Sequence, residues 1–284
     1  MRTFGAILLA VVFSGCIQTI AIRTVGGILN YGLEAFNEEE DFQLAHEALG
    51  SDLKLIEALI KGDPGNEQLL LMASQGFSAY ALAFVEDDSA ARARLLYRRG
   101  RDYGLQILDR NAAFRTGRAG TLQEFTEGLK ALSEDDVPAV FWTSFGWAGY
   151  VNLSRTDLEA VADLPRINAM MEFVLQHEPS YYYAGAHLYM GTILGSTPAM
   201  IGGSPERSND HFEQCLALTR GRFLLAYVYY AQTYAVQVQN RELFDSLLTK
   251  VEETSLDILP EARLPNAVAK RKAQLLLGQA NDLF

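Results

Sequence analysis

FTEGLKALSEDDVPAVFWTSFGWAG, residues 125–149, decides the fold class. Phe125, Leu129 and Leu132 recur at four and three residues, the spacing that lines up side chains on one face of a helix. Val137 follows five residues on, with Pro138 closing the unit one residue late. Behind the proline a second comb, Trp142, Phe145, Gly146 and Gly149, sets large residues beside small ones. A large side chain on one helix needs a small one on its neighbour if the two are to approach closely. The run therefore reads as two helices joined by an acidic turn, Glu134-Asp135-Asp136.

The same pattern recurs along the chain. Asp52, Ile56, Leu59 and Pro64 repeat the spacing of four, three and five residues, as do Ile167, Met171, Val174 and Pro179, and again Ser208, Phe212, Cys215 and Arg220. Tyr227, Tyr230, Ala231 and Tyr234 repeat the second comb, and Leu70, Ala73, Ser74 and Phe77 form a weaker copy. Tetratricopeptide repeats pair two helices in about 34 residues in this way. These units are degenerate, with insertions at 86–90 and 154–163. The expected fold is all-α, a TPR-like α-solenoid of degenerate helix hairpins over residues 41–284. Boundary signals agree. Ser204-Pro205-Glu206 offers an N-cap, a first-turn proline and an early acid; Asp163-Leu164-Pro165 starts another helix, and Gly221 is placed to stop one.

The N-terminus reads as an address. Arg2 precedes an apolar run from Phe4 to Phe13, followed by Ser14, Gly15 and Cys16. A run of about ten apolar residues is too short to cross a bilayer core of about 30 Å but suits a secretory signal. The segment resembles a bacterial lipoprotein signal, departing from the pattern at Phe13 where leucine is usual. That resemblance implies removal of residues 1–15, acylation of Cys16, and a lipid-anchored, membrane-proximal helix and turn over 16–40. Ile17 behind the cysteine favours the outer membrane of a diderm cell, with the body facing the periplasm. The formal net charge is −11, and loss of residues 1–15 removes only Arg2. Such an acidic body repels nucleic acid. Cys215 is the one other cysteine, so stability rests on packing rather than on a disulfide.

Catalytic sets are not evident. His46-Glu47 lacks the second histidine of a zinc-protease motif, and His177 precedes a terminating Pro179. His211 and Cys215 stand four apart on one helical face, as two metal ligands would, but zinc needs further ligands and the sequence offers none. No phosphate loop and no G-x-S-x-G elbow is present. The chain reads as a non-enzyme with no metal and no cofactor. What remains is aromatic. Tyr181-Tyr182-Tyr183 cannot all face one core from a regular helix, and tyrosine suits an apolar pocket with one polar tip. Trp142, Trp147, Tyr182, Tyr183, His187, Tyr227 and Tyr230 are the candidate ligand-facing residues, core packing being the competing reading of each.

The stretch Tyr183-Ala184-Gly185-Ala186-His187-Leu188-Tyr189-Met190-Gly191 resembles the T component of tripartite ATP-independent periplasmic (TRAP) transporters. Pro198, Gly202-Gly203-Ser204-Pro205-Glu206-Arg207, His211-Phe212 and Leu225-Ala226-Tyr227-Val228-Tyr229-Tyr230-Ala231 extend the resemblance, and Phe141-Trp142 and Gly146-Trp147-Ala148-Gly149 fit it as well. It implies a lipid-anchored helical protein with cryptic TPR-like repeats around a central cleft or pore, assembled as a homotrimer. It implies two partners besides the membrane, the periplasmic solute-binding subunit and a small organic, amphipathic ligand that is bound or passed on. The competing function is a TPR scaffold lipoprotein for protein–protein assembly in the cell envelope. A glycan hydrolase on the same solenoid would need a carboxylate pair inside the cleft.

Overall fold

The computed structural model describes residues 31–284. The signal segment and Cys16 lie outside the described residues. Residues 31–38 are helical, and fourteen α-helices follow. They are α1 (Phe42–Gly62), α2 (Glu67–Phe84), α3 (Ala90–Leu108), α4 (Ala112–Arg118), α5 (Leu122–Leu129), α6 (Val137–Asn152) and α7 (Leu158–Val161). The C-terminal half holds α8 (Leu164–His177), α9 (Tyr181–Ser196), α10 (Pro205–Thr219), α11 (Leu225–Tyr230), α12 (Arg241–Glu253), α13 (Arg263–Gly278) and α14 (Ala280–Leu283). A π-helical turn, Ala231–Ala235, prolongs α11. The described residues contain no strand.

Local chemistry explains the starts and stops. Asp41 caps α1, Asn66 caps α2, Asn111 caps α4 and Asn240 caps α12, each side chain accepting from first-turn amides. Each such cap is worth about 1 kcal/mol. Thr121 and Glu124 form a reciprocal capping box at α5. Ser204 caps α10 through the Arg207 amide, with Pro205 in the first turn. Asp163 precedes α8 but does not cap it; its carboxylate accepts instead from the Trp147 indole and from Arg166. The stop after α10 comes one residue before the glycine. Arg220 takes the left-handed conformation with φ of 54°, Gly221 continues it, and the Gly221 amide returns to the Leu216 carbonyl at 2.8 Å.

Helices near in sequence pack in pairs: α2 with α3, α4 with α5, α6 with α8 across the short α7, and α9 with α10. One longer-range contact dominates the N-terminal half, where α3 lies between α2 and α6. Glycine makes this possible. A Cβ on Gly100 would stand 2.8 Å from the Ser74 carbonyl oxygen of α2, and one on Gly146 would stand 2.9 Å from the Tyr97 carbonyl oxygen of α3. The backbones therefore touch, and Tyr97, Trp142 and Phe141 fill the space around the crossing, each at most 2% exposed. Gly146 is the small position expected of the second comb.

Two large hydrophobic clusters result among the described residues, with a small third one of Ala184, Cys215 and Ala226. The first holds Phe77, Phe114, Phe125, Trp142 and Met171; the second holds Phe212, Phe223, Val228, Phe244 and Ala269. Phe42, Leu82 and Ala83 pack against both, so one seam joins the halves. A buried ionic knot ties the seam. Lys272 of α13 donates to Glu86 at 2.7 Å and to Asp87 at 3.0 Å, and the Tyr97 hydroxyl donates to the other Glu86 oxygen at 2.5 Å. Burial alone would lower the Lys272 pKa, but Tyr229, Glu86 and Asp87 more than offset it and hold the ammonium charged.

Candidate functional site

The three consecutive tyrosines solve their packing problem by breaking the helix. Tyr182, Tyr183 and Ala184 have φ of 41°, 57° and 57°, a left-handed turn at the start of α9. Side-chain-bearing residues pay roughly 1–2 kcal/mol each for that conformation. In return the turn sends each ring to a different neighbour. Tyr181 meets Phe141 edge-on at 5.3 Å, and Tyr182 packs on Trp142 at 4.5 Å, both in the first cluster. Tyr183 crosses to the second cluster, stacks on Phe223 at 4.7 Å and 14°, and donates its hydroxyl to the Glu261 carbonyl at 3.3 Å. Ala184 and Cys215, both wholly buried, close the turn from behind. The Cys215 thiol faces the Tyr183 carbonyl at 3.7 Å, and burial pushes its pKa up to about 12.

Opposite this turn lies the loop after α10. Asn266, fully buried on α13, clamps it from both sides: its Oδ1 accepts from the Leu224 amide at 2.8 Å, and its Nδ2 donates to the Arg222 carbonyl at 3.0 Å. Between the turn and the loop opens a cavity of about 440 Å³. That volume lies within the range of small-molecule pockets. Tyr182, Tyr183, Thr219 and Arg222 form its walls, Leu259 and Glu261 close one side, and Gln75 of α2 and Asn37 of the 31–38 helix reach it from the N-terminal half. It sits on the seam.

The lining holds one cation, Arg222, and one carboxylate, Glu261. The Arg222 Nε–H is buried without a hydrogen-bond partner, and no carboxylate of the described residues pairs with the guanidinium. An orphaned buried donor costs roughly 1–3 kcal/mol. Burial raises the hydroxyl pKa of Tyr182 and of Tyr183, so both remain neutral donors at neutral pH.

The sequence candidates separate into groups. Tyr182 and Tyr183 line this cavity, Trp142 backs Tyr182, and the Tyr227 hydroxyl lies under Gly221, below the loop that carries Arg222. Trp147 lines a separate cavity of about 320 Å³ beside Arg101 and Arg118, with its indole donating to Asp163. Tyr230 stacks on Phe212 and hydrogen-bonds Asn209 and Glu213. His187 sits at the α9–α10 contact with its Nδ1 3.0 Å from that of His211. Burial, with His211 beside it, lowers the His187 pKa to about 4. His211 thus faces His187 while Cys215 faces Tyr183, and the two do not converge as metal ligands. Among the described residues no three His, Cys, Asp or Glu side chains cluster to hold a metal. Arg222, Thr219, Gln75 and Glu261 were not legible as site residues. The one local hint was an arginine after a helix-stopping glycine.

Comparison with known proteins gives two findings. The family model described as TRAP transporter T-component matches residues 38–284. A Treponema pallidum (strain Nichols) protein, described as uncharacterized, is 23% identical over 265 residues, covering 88% of this chain and 82% of its own.

Proposed function

Because the chain belongs to the TRAP transporter T-component family, we propose that it is the lipid-anchored, periplasm-facing accessory component of such a transporter. Its role is to bind or pass on a small organic, amphipathic ligand and to pair with the periplasmic solute-binding subunit. The family is one of transporter accessory components, so the work assigned to this chain is binding rather than catalysis. The observation that carries the ligand reading is the cavity at the seam, walled by the left-handed Tyr182–Ala184 turn. Backbone strain of this kind persists where the surrounding structure enforces it, and it gathers at ligand sites.

Several finer features belong to the same proposal. The helix pairs α2/α3, α6/α8 and α9/α10 act as degenerate TPR-like hairpins of a solenoid around the cleft, and the protein works as a homotrimer. Residues 1–15 are a signal peptide, Cys16 carries the lipid, and residues 16–40 lead into the helical domain. Asn37, in the helical stretch 31–38, borders the cavity.

Affinity purification of the protein from its native envelope tests the reading. A periplasmic solute-binding subunit is the expected partner; recovery of barrel-assembly proteins in its place supports the scaffold. In parallel, Cys16→Ala moves the protein to the soluble fraction, and continued membrane association after salt washing refutes the anchor.

A further inference from the structure

Within that ligand-handling reading, we propose that Arg222 makes the seam cavity a site for an organic monoanion, with a carboxylate head on the guanidinium and an apolar body against Tyr182, Tyr183 and Leu259. The first support is the unspent guanidinium. Arg222 lines the cavity, its Nε is buried with no partner, and no side-chain hydrogen bond or ion pair among the described residues takes the rest of the fork, which matches a carboxylate. Arg166 also leaves its Nε without a partner, but its terminal nitrogens are spent on Asp163 and on the Gly120 carbonyl, and Arg118 is paired with both Asp109 oxygens at 2.9 and 2.6 Å.

The second support is preorganisation. Asn266 holds the Arg222 carbonyl and the Leu224 amide, and the Arg222 amide donates to the Thr219 carbonyl at 3.1 Å. The root of the side chain is therefore fixed before any ligand arrives, which lowers the ordering cost of binding. Asn266 and its two partners are separated by 42 and 44 residues, so a buried long-range clamp is devoted to this loop.

The third support is the balance of the walls. The Tyr183 ring lies flat on Phe223 and its hydroxyl is already committed to Glu261, so it presents an aromatic surface. Tyr182 lines the same cavity as Arg222, and its hydroxyl, which makes no hydrogen bond among the described residues, remains a neutral donor. The exposed Glu261 carboxylate borders the same space without pairing to Arg222. One cation against one rim carboxylate admits a single negative charge and disfavours dianions such as phosphate monoesters.

The test uses octanoate and its neutral isostere octanamide, titrated calorimetrically into the full membrane-extracted protein. Octanoate is expected to bind the wild type about tenfold more tightly than octanamide, since a charge-assisted pair replaces a neutral contact. Arg222→Gln should erase that preference while leaving octanamide binding unchanged. Glu261→Gln alters an exposed side chain and should raise octanoate affinity several-fold, so it reads the same field without risk to the fold. Equal binding of the two probes by the wild type, or a preference that neither variant moves, overturns the assignment of Arg222 while leaving the transporter-component reading intact. Failure of both probes to bind overturns the cavity as a ligand site, and recovery of the solute-binding subunit is then the separate measure of the wider reading.

Discussion

Lys272→Met tests what joins the two halves of the molecule. Lys272 is 8% exposed and places its ammonium 2.7 Å from Glu86 and 3.0 Å from Asp87. At an effective dielectric constant of about 20, an ion pair near 3 Å is worth about 5 kcal/mol before desolvation is subtracted. Methionine fills similar volume but leaves two carboxylates facing each other, with the Tyr97 hydroxyl as their remaining donor. Breaking a buried pair in this way costs about 3–5 kcal/mol. The Asp87 side chain is 34% exposed, which places the expected loss near the lower figure, about 3 kcal/mol. Urea unfolding at pH 7 measures it. Trp142 and Trp147 both belong to the first cluster, so fluorescence reports that half and far-UV circular dichroism reports the whole. The two transitions should coincide in the wild type and separate in Lys272→Met, the second cluster melting first. The triple variant Lys272→Met, Glu86→Gln, Asp87→Asn removes the stranded charges and should recover most of the loss. A single variant within about 1 kcal/mol of wild type, or a triple variant no better than the single, refutes the knot as the tie across the seam.

Three further outcomes follow from the geometry. The folded His187 pKa lies near 4, below its ordinary 6.5, so the unfolded chain binds the extra proton first. Stability is then intact above pH 6.5 and falls as pH drops toward 4; partial exposure of the ring limits the loss to about 1–2 kcal/mol, read as the shift of the urea midpoint, and His187→Gln should flatten the profile. Gly146→Ala drives a methyl into the Tyr97 carbonyl and the Arg101 amide, and its strain of about 1–3 kcal/mol outweighs the helix-propensity gain of about 0.5–1 kcal/mol, lowering the melting temperature. Arg220→Gly relieves a left-handed, exposed arginine and should raise stability by about 0.5–1 kcal/mol in the same urea assay.

Helix identity was legible because it depends on local spacing. Ser204 and Pro205 open α10 as read, and Gly146 occupies the tight side of a helix crossing. The conflict among Tyr181, Tyr182 and Tyr183 was also visible in the sequence. Its resolution was not, because no glycine or asparagine marks the left-handed turn; long-range packing on Trp142 and Phe223 enforces it. Tyr230 and Trp147 look identical in sequence to ligand-facing aromatics, yet Glu213 and Asp163 satisfy their polar ends. The cavity itself depends on Asn266 reaching back across more than forty residues, and no periodicity announces such a contact.

The thiol of Cys215 lies directly behind the strained turn, packed on Ala184 and pointed at the Tyr183 carbonyl. In that position it is shielded and, with its pKa near 12, chemically silent toward thiol reagents at neutral pH. It becomes reactive when the packing of α10 on Ala184 and Ala226 opens. The rate of its alkylation is therefore a built-in clock for how often the turn opens, and a bound molecule that holds Tyr182 and Tyr183 in place should slow that clock.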